Sequence, residues 1–179
     1  MQPDTVSIGL INPKSPSNVG SVMRAAGCFR VSSVLYTGVR YERAAKFTTD
    51  TKNISDTIPL LAVESLLSAI DSDTRVVCVE LVEGAVPLPE YRHPDNALYI
   101  FGPEDGSINQ ALIDRADAVV YIPTIGCLNL AATVNVVLYD RLAKAQQSIA
   151  SDALIRRSRD RNNTVKVKSV TSSTPSSGS

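Results

Sequence analysis

The chain has 179 residues, of which 44% are hydrophobic and 20% charged, an ordinary globular balance with enough length for one domain and its core. Its 18 basic and 18 acidic side chains cancel, and its apolar runs reach about five residues against the ~20 that a membrane-spanning helix needs. These values exclude a collagen-like chain, a coiled coil, a wholly disordered chain and a helical membrane protein.

The first ten residues, MQPDTVSIGL, lack the basic-then-apolar pattern of a secretory signal, so residence in the cytoplasm is expected. Cys28, Cys78 and Cys127 are odd in number and widely spaced, which fits neither a disulfide framework nor a zinc site. The single histidine, His93, sits in the Pro-rich stretch PLPEYRHPDN and reads as a loop residue. No metal is expected, and a histidine-based triad has no material.

The zero net charge hides an asymmetry. Residues 1–150 carry 12 basic and 16 acidic side chains, whereas residues 151–179 carry 6 and 2. The basic residues of the second segment cluster in RRSRDRNNTVKVK, from Arg156 to Lys168. A basic tail on a neutral domain suits phosphates, although a merely solvated tail has the same composition. We divide the chain into a domain over 1–150 and a tail over 151–179, basic at first and then rich in Ser and Thr.

In chain order, Val6–Ile11 reads as a strand covered on both faces. The turn material NPKSPS leads to a helix over Asn18–Phe29, whose apolar positions Val19, Val22, Ala26 and Phe29 keep helical spacing. Arg24 lies roughly 200° around from Val22 and points away from that stripe. A strand over Val31–Thr37 follows, then a polar stretch over Gly38–Thr57 that reads as a long loop or lid with room for one short helix. Val63–Ile70 predicts a helix and Arg75–Val82 a buried strand. A loop with Pro87, Pro89 and Pro94 leads to a strand over Ala97–Phe101. Ile108–Ala116 predicts a helix, Ala118–Ile122 a strand, and Leu128–Ala150 a long helix burying Leu130, Val134, Val137, Leu138 and Leu142. The last 11 residues, SVTSSTPSSGS, are expected to be disordered. Alternating strands and helices predict an α/β domain with a mainly parallel sheet flanked by helices, and such sheets bind ligands at the carboxyl ends of their strands.

Three segments follow predicted strands: NPKSPSNVGSVMRAAGCF (Asn12–Phe29), FGPEDGSIN (Phe101–Asn109) and YIPTIGCLNLAATVNVVLYD (Tyr121–Asp140). In this order they resemble the SpoU (TrmH) family of RNA 2′-O-ribose methyltransferases, within the SPOUT superfamily. The first carries the family's asparagine–glycine–arginine pattern as Asn18, Gly20 and Arg24. The second carries its glycine–glutamate turn as Gly102 and Glu104, with the closing glycine, Gly106, one residue early. The third carries the isoleucine–proline pair and the leucine–asparagine pair as Ile122, Pro123, Leu128 and Asn129. The resemblance covers about residues 6–145. Two departures accompany it: Cys127 stands where a serine is usual, and the loop from Pro123 to Asn129 is shorter than usual.

The resemblance implies a SPOUT fold closed by a deep C-terminal trefoil knot, with S-adenosyl-L-methionine held by the second and third motif loops. It also implies a homodimer with RNA lying across the subunit interface and a methyl group passing to a ribose 2′-hydroxyl. It places Gly102, Ile122, Ile125, Cys127 and Leu128 at the cofactor, and Arg24, Asn18, Glu104 and Asn129 in catalysis. In the family the glutamate lies near the arginine and orients it. The arginine is sometimes assigned as a general base; the strong basicity of a guanidinium favours instead a grip on a phosphate or on the developing alkoxide. Asn18 and Asn129 also suit helix N-caps. The chain is expected to lack the additional N-terminal RNA-binding domain of larger relatives, so RNA recognition is expected to fall to the domain itself, through Arg24, and to Arg156, Arg157, Arg159 and Arg161 of the tail. We rank tRNA above rRNA as substrate. The alternative is a non-catalytic RNA-binding dimer with weakened cofactor binding, motivated by Cys127 and the short loop. A generic nucleotide-binding protein is disfavoured because no glycine-rich phosphate loop follows a strand.

Overall fold

Strands that are apolar on both faces set the architecture. The computed structural model describes residues 5–46, 58–145 and 150–167. The chain divides into two compact units, Met1–Ala145 and Gln146–Ser179.

The first unit is built on a seven-stranded sheet. Its strands are β1 (Val6–Leu10), β2 (Ser33–Tyr36), β3 (Leu60–Ala62), β4 (Arg75–Val79), β5 (Val86–Pro87), β6 (Ala97–Phe101) and β7 (Ala118–Tyr121). Every pairing is parallel, in the order β3-β2-β1-β6-β4-β7-β5. All five residues of β1 and of β6 are buried, as expected of central strands covered by helices. Alternation splits β6 between two cores. Tyr99 and Phe101 join Ile8, Val22, Val77, Val120 and Val134 on one face, while Leu98 and Ile100 join Leu35, Leu66, Cys78 and Ile108 on the other.

Helices α1 (Pro16–Cys28) and α4 (Leu130–Lys144) pack against one another on the first face. Helix α1 begins earlier than predicted. The Ser15 side chain caps it by accepting the Asn18 N–H, and Pro16 occupies the first turn, where its missing N–H costs nothing. Asn18 is therefore in the first turn and is not the cap. Asn129 does cap α4, its Oδ1 accepting the N–H groups of Ala131 at 2.9 Å and Ala132 at 3.4 Å.

The expected long loop contains a short helix, α2 (Arg40–Ala45); Phe47–Thr57 lie outside the described residues. The predicted helix over Val63–Ile70 is corrected. Edge strand β3 precedes it, and only a 3-10 turn forms, over Leu67–Ala69. Leu66 is held against the sheet, where a side chain on Gly9 of β1 would come within 3.0 Å of its Cδ1. Helix α3 shrinks to Gln110–Ile113, capped by Asn109. Helix α4 stops at Lys144, and Leu142 in its last turn is exposed rather than buried. In the second unit, a helix that the sequence pattern does not predict, α5 (Asp152–Ser158), is capped by Ser151. The final stretch SVTSSTPSSGS lies outside the described residues.

One turn sets up the site. Asn12, at the end of β1, has a left-handed φ of 41°, and Gly38, after β2, has a φ of 78°. A Cβ on Gly38 would sit 2.3 Å from Asn12 Oδ1, so glycine is the residue that leaves room for this side chain. The turn delivers the backbone of Lys14 and Ser15 to the carboxyl end of the sheet.

Candidate active site

Strands β6, β4 and β7 are consecutive neighbours in the sheet. The chain after β6 and the chain after β7 therefore flank the end of β4 from either side. Between them is a cleft of about 290 Å³, at the lower edge of the ~300–1,000 Å³ usual for small-molecule sites. Its floor is Val79, Glu80 and Leu81. One wall is Phe101 to Glu104 with Gly106, and the other runs from Tyr121 and Ile122 through Thr124 to Leu128, Asn129 and Leu130.

Asn18, Glu104 and Asn129 come together at its rim from positions far apart in sequence. Glu104 Oε1 accepts the Ser15 N–H at 3.1 Å and the Asn18 side-chain amide at 3.2 Å, and Oε2 accepts the Lys14 N–H at 3.0 Å. Asn129 Nδ2 donates to Asn18 Oδ1 at 3.1 Å. One chain of hydrogen bonds thus joins the loop after β6, the start of α1 and the cap of α4. Partial burial raises the Glu104 pKa, but the bonds donated by Lys14, its own backbone, Asn18 and Ser15 outweigh it and hold the carboxyl below its usual range. Glu104 is ionised at neutral pH. Beside it, Asp105 accepts from Arg40 at 3.0 Å and from Lys14 Nζ at 3.3 Å.

Arg24 is not in this cluster. It is exposed on the outward side of α1 and makes no hydrogen bond or ion pair among the described residues. The carboxylate expected to orient it, Glu104, is bonded to Asn18 instead. Of the residues assigned to the cofactor, Gly102, Ile122, Cys127 and Leu128 line the cleft, whereas Ile125 points fully into solvent. The reason is a tight turn. The Thr124 N–H donates to Ile122 O at 2.8 Å, Thr124 Oγ1 donates to Gly126 O at 3.0 Å, and Gly126 takes a φ of 87°. Arg156 and Arg157 lie in the last turn of α5, exposed like Arg161, while Arg159 is half-buried.

Sequence motifs give no role to Glu80, which the fold places at the site. It sits just past the end of β4, its Oε2 accepting the Ile108 N–H at 2.9 Å and its Oε1 the Leu81 N–H at 3.0 Å. A Cβ on Gly102 would come within 3.2 Å of Oε2, so this glycine answers to Glu80 as well as to whatever fills the cleft. The available signal was an acid closing the apolar run VVCV. Among the described residues no group of three or more His, Cys, Asp or Glu is placed to hold a metal ion.

Comparison with known proteins matches this arrangement. The model of the SpoU rRNA Methylase family matches residues 5–139. The 23S rRNA (guanosine-2′-O-)-methyltransferase RlmB of Acinetobacter baylyi is 26% identical over 137 residues, which are 70% of this chain and 54% of that protein. The chain thus spans about half the length of the curated relative it matches. A solved structure from work on the 2-OH methylation of C/U34 on tRNA superimposes with a TM-score of 0.68 at 23% identity, over 80% of this chain and 92% of that one. The SpoU methyltransferase AviRb from Streptomyces viridochromogenes, in complex with AdoMet, superimposes with a TM-score of 0.63 at 20% identity, over 79% of this chain and 58% of that one. With the family model matched from β1 well into α4, and with the three motif segments meeting at one cleft, the chain belongs to the SpoU family.

Proposed function

We propose that this protein is an S-adenosyl-L-methionine-dependent RNA methyltransferase that acts on a ribose 2′-hydroxyl, with tRNA ahead of rRNA as substrate. The observation that carries the reading is the cleft over the end of β4, closed by the two motif loops and rimmed by Asn18, Glu104 and Asn129. Its residues suit the cofactor. Phe101, Ile122, Leu128 and Leu130 offer apolar walls, and Gly102 and Gly106 bring backbone close. When bound, the cofactor supplies an activated methyl group. The methyl group would pass from the cofactor's sulfur, which keeps the electron pair of the broken bond, to the ribose oxygen, whose proton would be released to solvent. The Asn18–Glu104–Asn129 chain fixes the rim against which the ribose is placed, and Arg24 supplies positive charge to the phosphate or the developing alkoxide. The C-terminal knot belongs to this reading, supported by the two motif loops that close on the end of β4. The preference for tRNA rests on the structural match that extends over 92% of a protein studied for tRNA methylation. A cytoplasmic location is part of the same proposal.

The test is incubation of the pure protein with methyl-labelled cofactor and bulk RNA, followed by separation of tRNA from rRNA. Label in ribose of the tRNA fraction supports the full reading, and label only in rRNA overturns the substrate ranking. Absence of both label and cofactor binding overturns the catalytic reading in favour of an RNA-binding protein.

A homodimer is part of the proposal. Ala132, Val136, Tyr139 and Ala143 form an exposed stripe along α4 at helical spacing. Beside it the outward side of α1 carries small residues, Ser17, Gly20 and Ser21, along with Arg24. Such a face suits a second copy of the chain. Tyr139→Glu is expected to shift the protein from dimer to monomer in sedimentation velocity; an unchanged dimer would move the interface elsewhere.

The basic segment adds a salt-dependent contribution. Deleting residues 151–179 is expected to weaken RNA binding and to flatten the dependence of log Kd on log salt by roughly 0.7–0.9 for each phosphate that the shortened protein no longer neutralises. A titration series across salt concentrations reads this, and an unchanged slope would remove the segment from the interface.

A further inference from the structure

We propose that Glu80 makes the cleft selective for a cationic ligand, so that the methyl donor binds in preference to its demethylated product. The inference rests on the proposed function and concerns a residue to which neither the motifs nor the resemblance gives a role.

Glu80 is central to the cleft. It stands just past the end of β4 with a motif loop on either side, and both of its carboxylate oxygens are held by backbone N–H groups, those of Ile108 and Leu81. It forms no ion pair among the described residues. Among those residues the only other charged one lining the cleft is Glu104, also a carboxylate, and no Lys, Arg or His lines it. The two nearby cations, Lys14 and Arg40, are directed at Asp105, which is not part of the lining. The cleft therefore presents negative charge with no local counter-charge, and dipoles from two amides keep Glu80 fixed in position.

The reaction changes the charge of what occupies that space. The donor carries a sulfonium. When the S–CH₃ bond breaks, its electron pair stays on sulfur and the product is a neutral thioether. The rest of the two molecules is the same, so their shape, adenosine contacts and amino-acid end are shared. A fixed carboxylate in a partly enclosed site discriminates between them by charge alone. It favours the molecule that must enter and has no such hold on the one that must leave.

The test measures the dissociation constants of S-adenosylmethionine and S-adenosylhomocysteine by calorimetry for wild type, Glu80→Gln and Glu80→Asp. Glu80→Gln is expected to lower the ratio of donor to product affinity by about three- to tenfold, the size of one partly screened charge pair. Glu80→Asp keeps the charge and is expected to keep the ratio, even if both ligands bind more weakly. The ratio separates electrostatics from scaffolding. A loop merely loosened at Ile108 would weaken both ligands alike and leave the ratio unchanged, and that result in Glu80→Gln overturns the proposal. If Glu80→Gln binds neither ligand, the wild-type ratio across a salt series decides: a ratio that falls as salt screens the carboxylate supports the charge role, and a constant ratio overturns it. Failure of wild type to bind either ligand is a different outcome, which defeats the proposed function itself.

Discussion

Arg24→Ala is expected to lower the single-turnover rate of methyl transfer by about 10²–10³-fold, the usual cost of removing one charge-stabilising donor, while cofactor affinity and thermal stability stay at wild-type values. The separation of effects follows from where Arg24 lies. It is six residues along α1 from Asn18, roughly 9 Å up the helix axis, exposed, outside the cleft lining and without a partner among the described residues. Nothing in the fold rests on it. A guanidinium offers donors and no acceptor, so its contribution is positive charge. Because Glu104 is already engaged with Asn18 and with the Lys14 and Ser15 amides, Arg24 is free to meet the RNA on the outward side of α1, the side proposed to face the second subunit. Arg24→Lys keeps the charge but loses the two-pronged donor geometry, and is expected to fall between the two. Unchanged turnover in Arg24→Ala would remove this residue from the mechanism and leave the Asn18–Glu104–Asn129 chain as the only motif-derived machinery.

How much of this could be read from the chain differs by element, for physical reasons. Strands β1, β4 and β6 stood out because they are covered on both faces, and burial on both faces writes an unbroken apolar run. Edge strands leave no such mark: β3 is three residues with two of them exposed, and β5 is a Val-Pro pair. The predicted helix over Val63–Ile70 had the right spacing, with Val63, Leu66, Leu67 and Ile70 on one stripe. Yet the same four residues are what a short crossover needs to cover one face of the sheet, and the Asp71–Thr74 turn ends it before α-helical turns accumulate. Helix α5 is short and mostly exposed, so neither length nor amphipathicity announced it. For the site, Asn18, Glu104 and Asn129, each taken from a different motif, meet in one hydrogen-bonded cluster even though their separations, 86 and 111 residues, reveal no contact by themselves. Ile125 and Glu80 mark the boundary of that inference. Each depends on a local hydrogen-bond geometry, the Thr124–Gly126 turn and the two backbone donors around β4, that residue types alone do not specify.

A second large effect is expected far from the cleft. Asp140→Ala should destabilise the protein by about 2–3 kcal/mol, the range for hydrogen bonds to a charged group, lowering Tm by roughly 4–12 °C for a chain of this size. Asp140 Oδ2 accepts from His93 Nε2 at 2.8 Å and from Lys144 Nζ at 2.6 Å. His93 Nδ1 lies 2.6 Å from the buried Tyr99 hydroxyl, and Arg141 donates to that hydroxyl and to the Pro94 carbonyl. Lys144 also donates to the carbonyls of Leu88 and Tyr91. This network fastens the last two turns of α4 to the Pro-rich loop and to β6. With Asp140 accepting, Nε2 carries the proton and Nδ1 accepts from Tyr99, so the network is satisfied by a neutral imidazole. Burial lowers the His93 pKa; the Asp140 bond and charge oppose this, while the charges of Arg141 and Lys144 reinforce it, and the net direction is downward from 6.5. Below about pH 6.5 the unfolded chain therefore takes up a proton that the folded chain resists, and stability falls as pH drops from there towards the folded pKa. A separate decline follows in more acidic solution, as Glu104 and Asp117, held below their usual range, become protonated. Melting curves between pH 8 and pH 5 should show the first decline in wild type and lose it in His93→Gln, whose Tm is lower but flat across that interval. Equal slopes in the two proteins would show that His93 titrates alike in the folded and unfolded chain, and that the network does not depend on its neutrality.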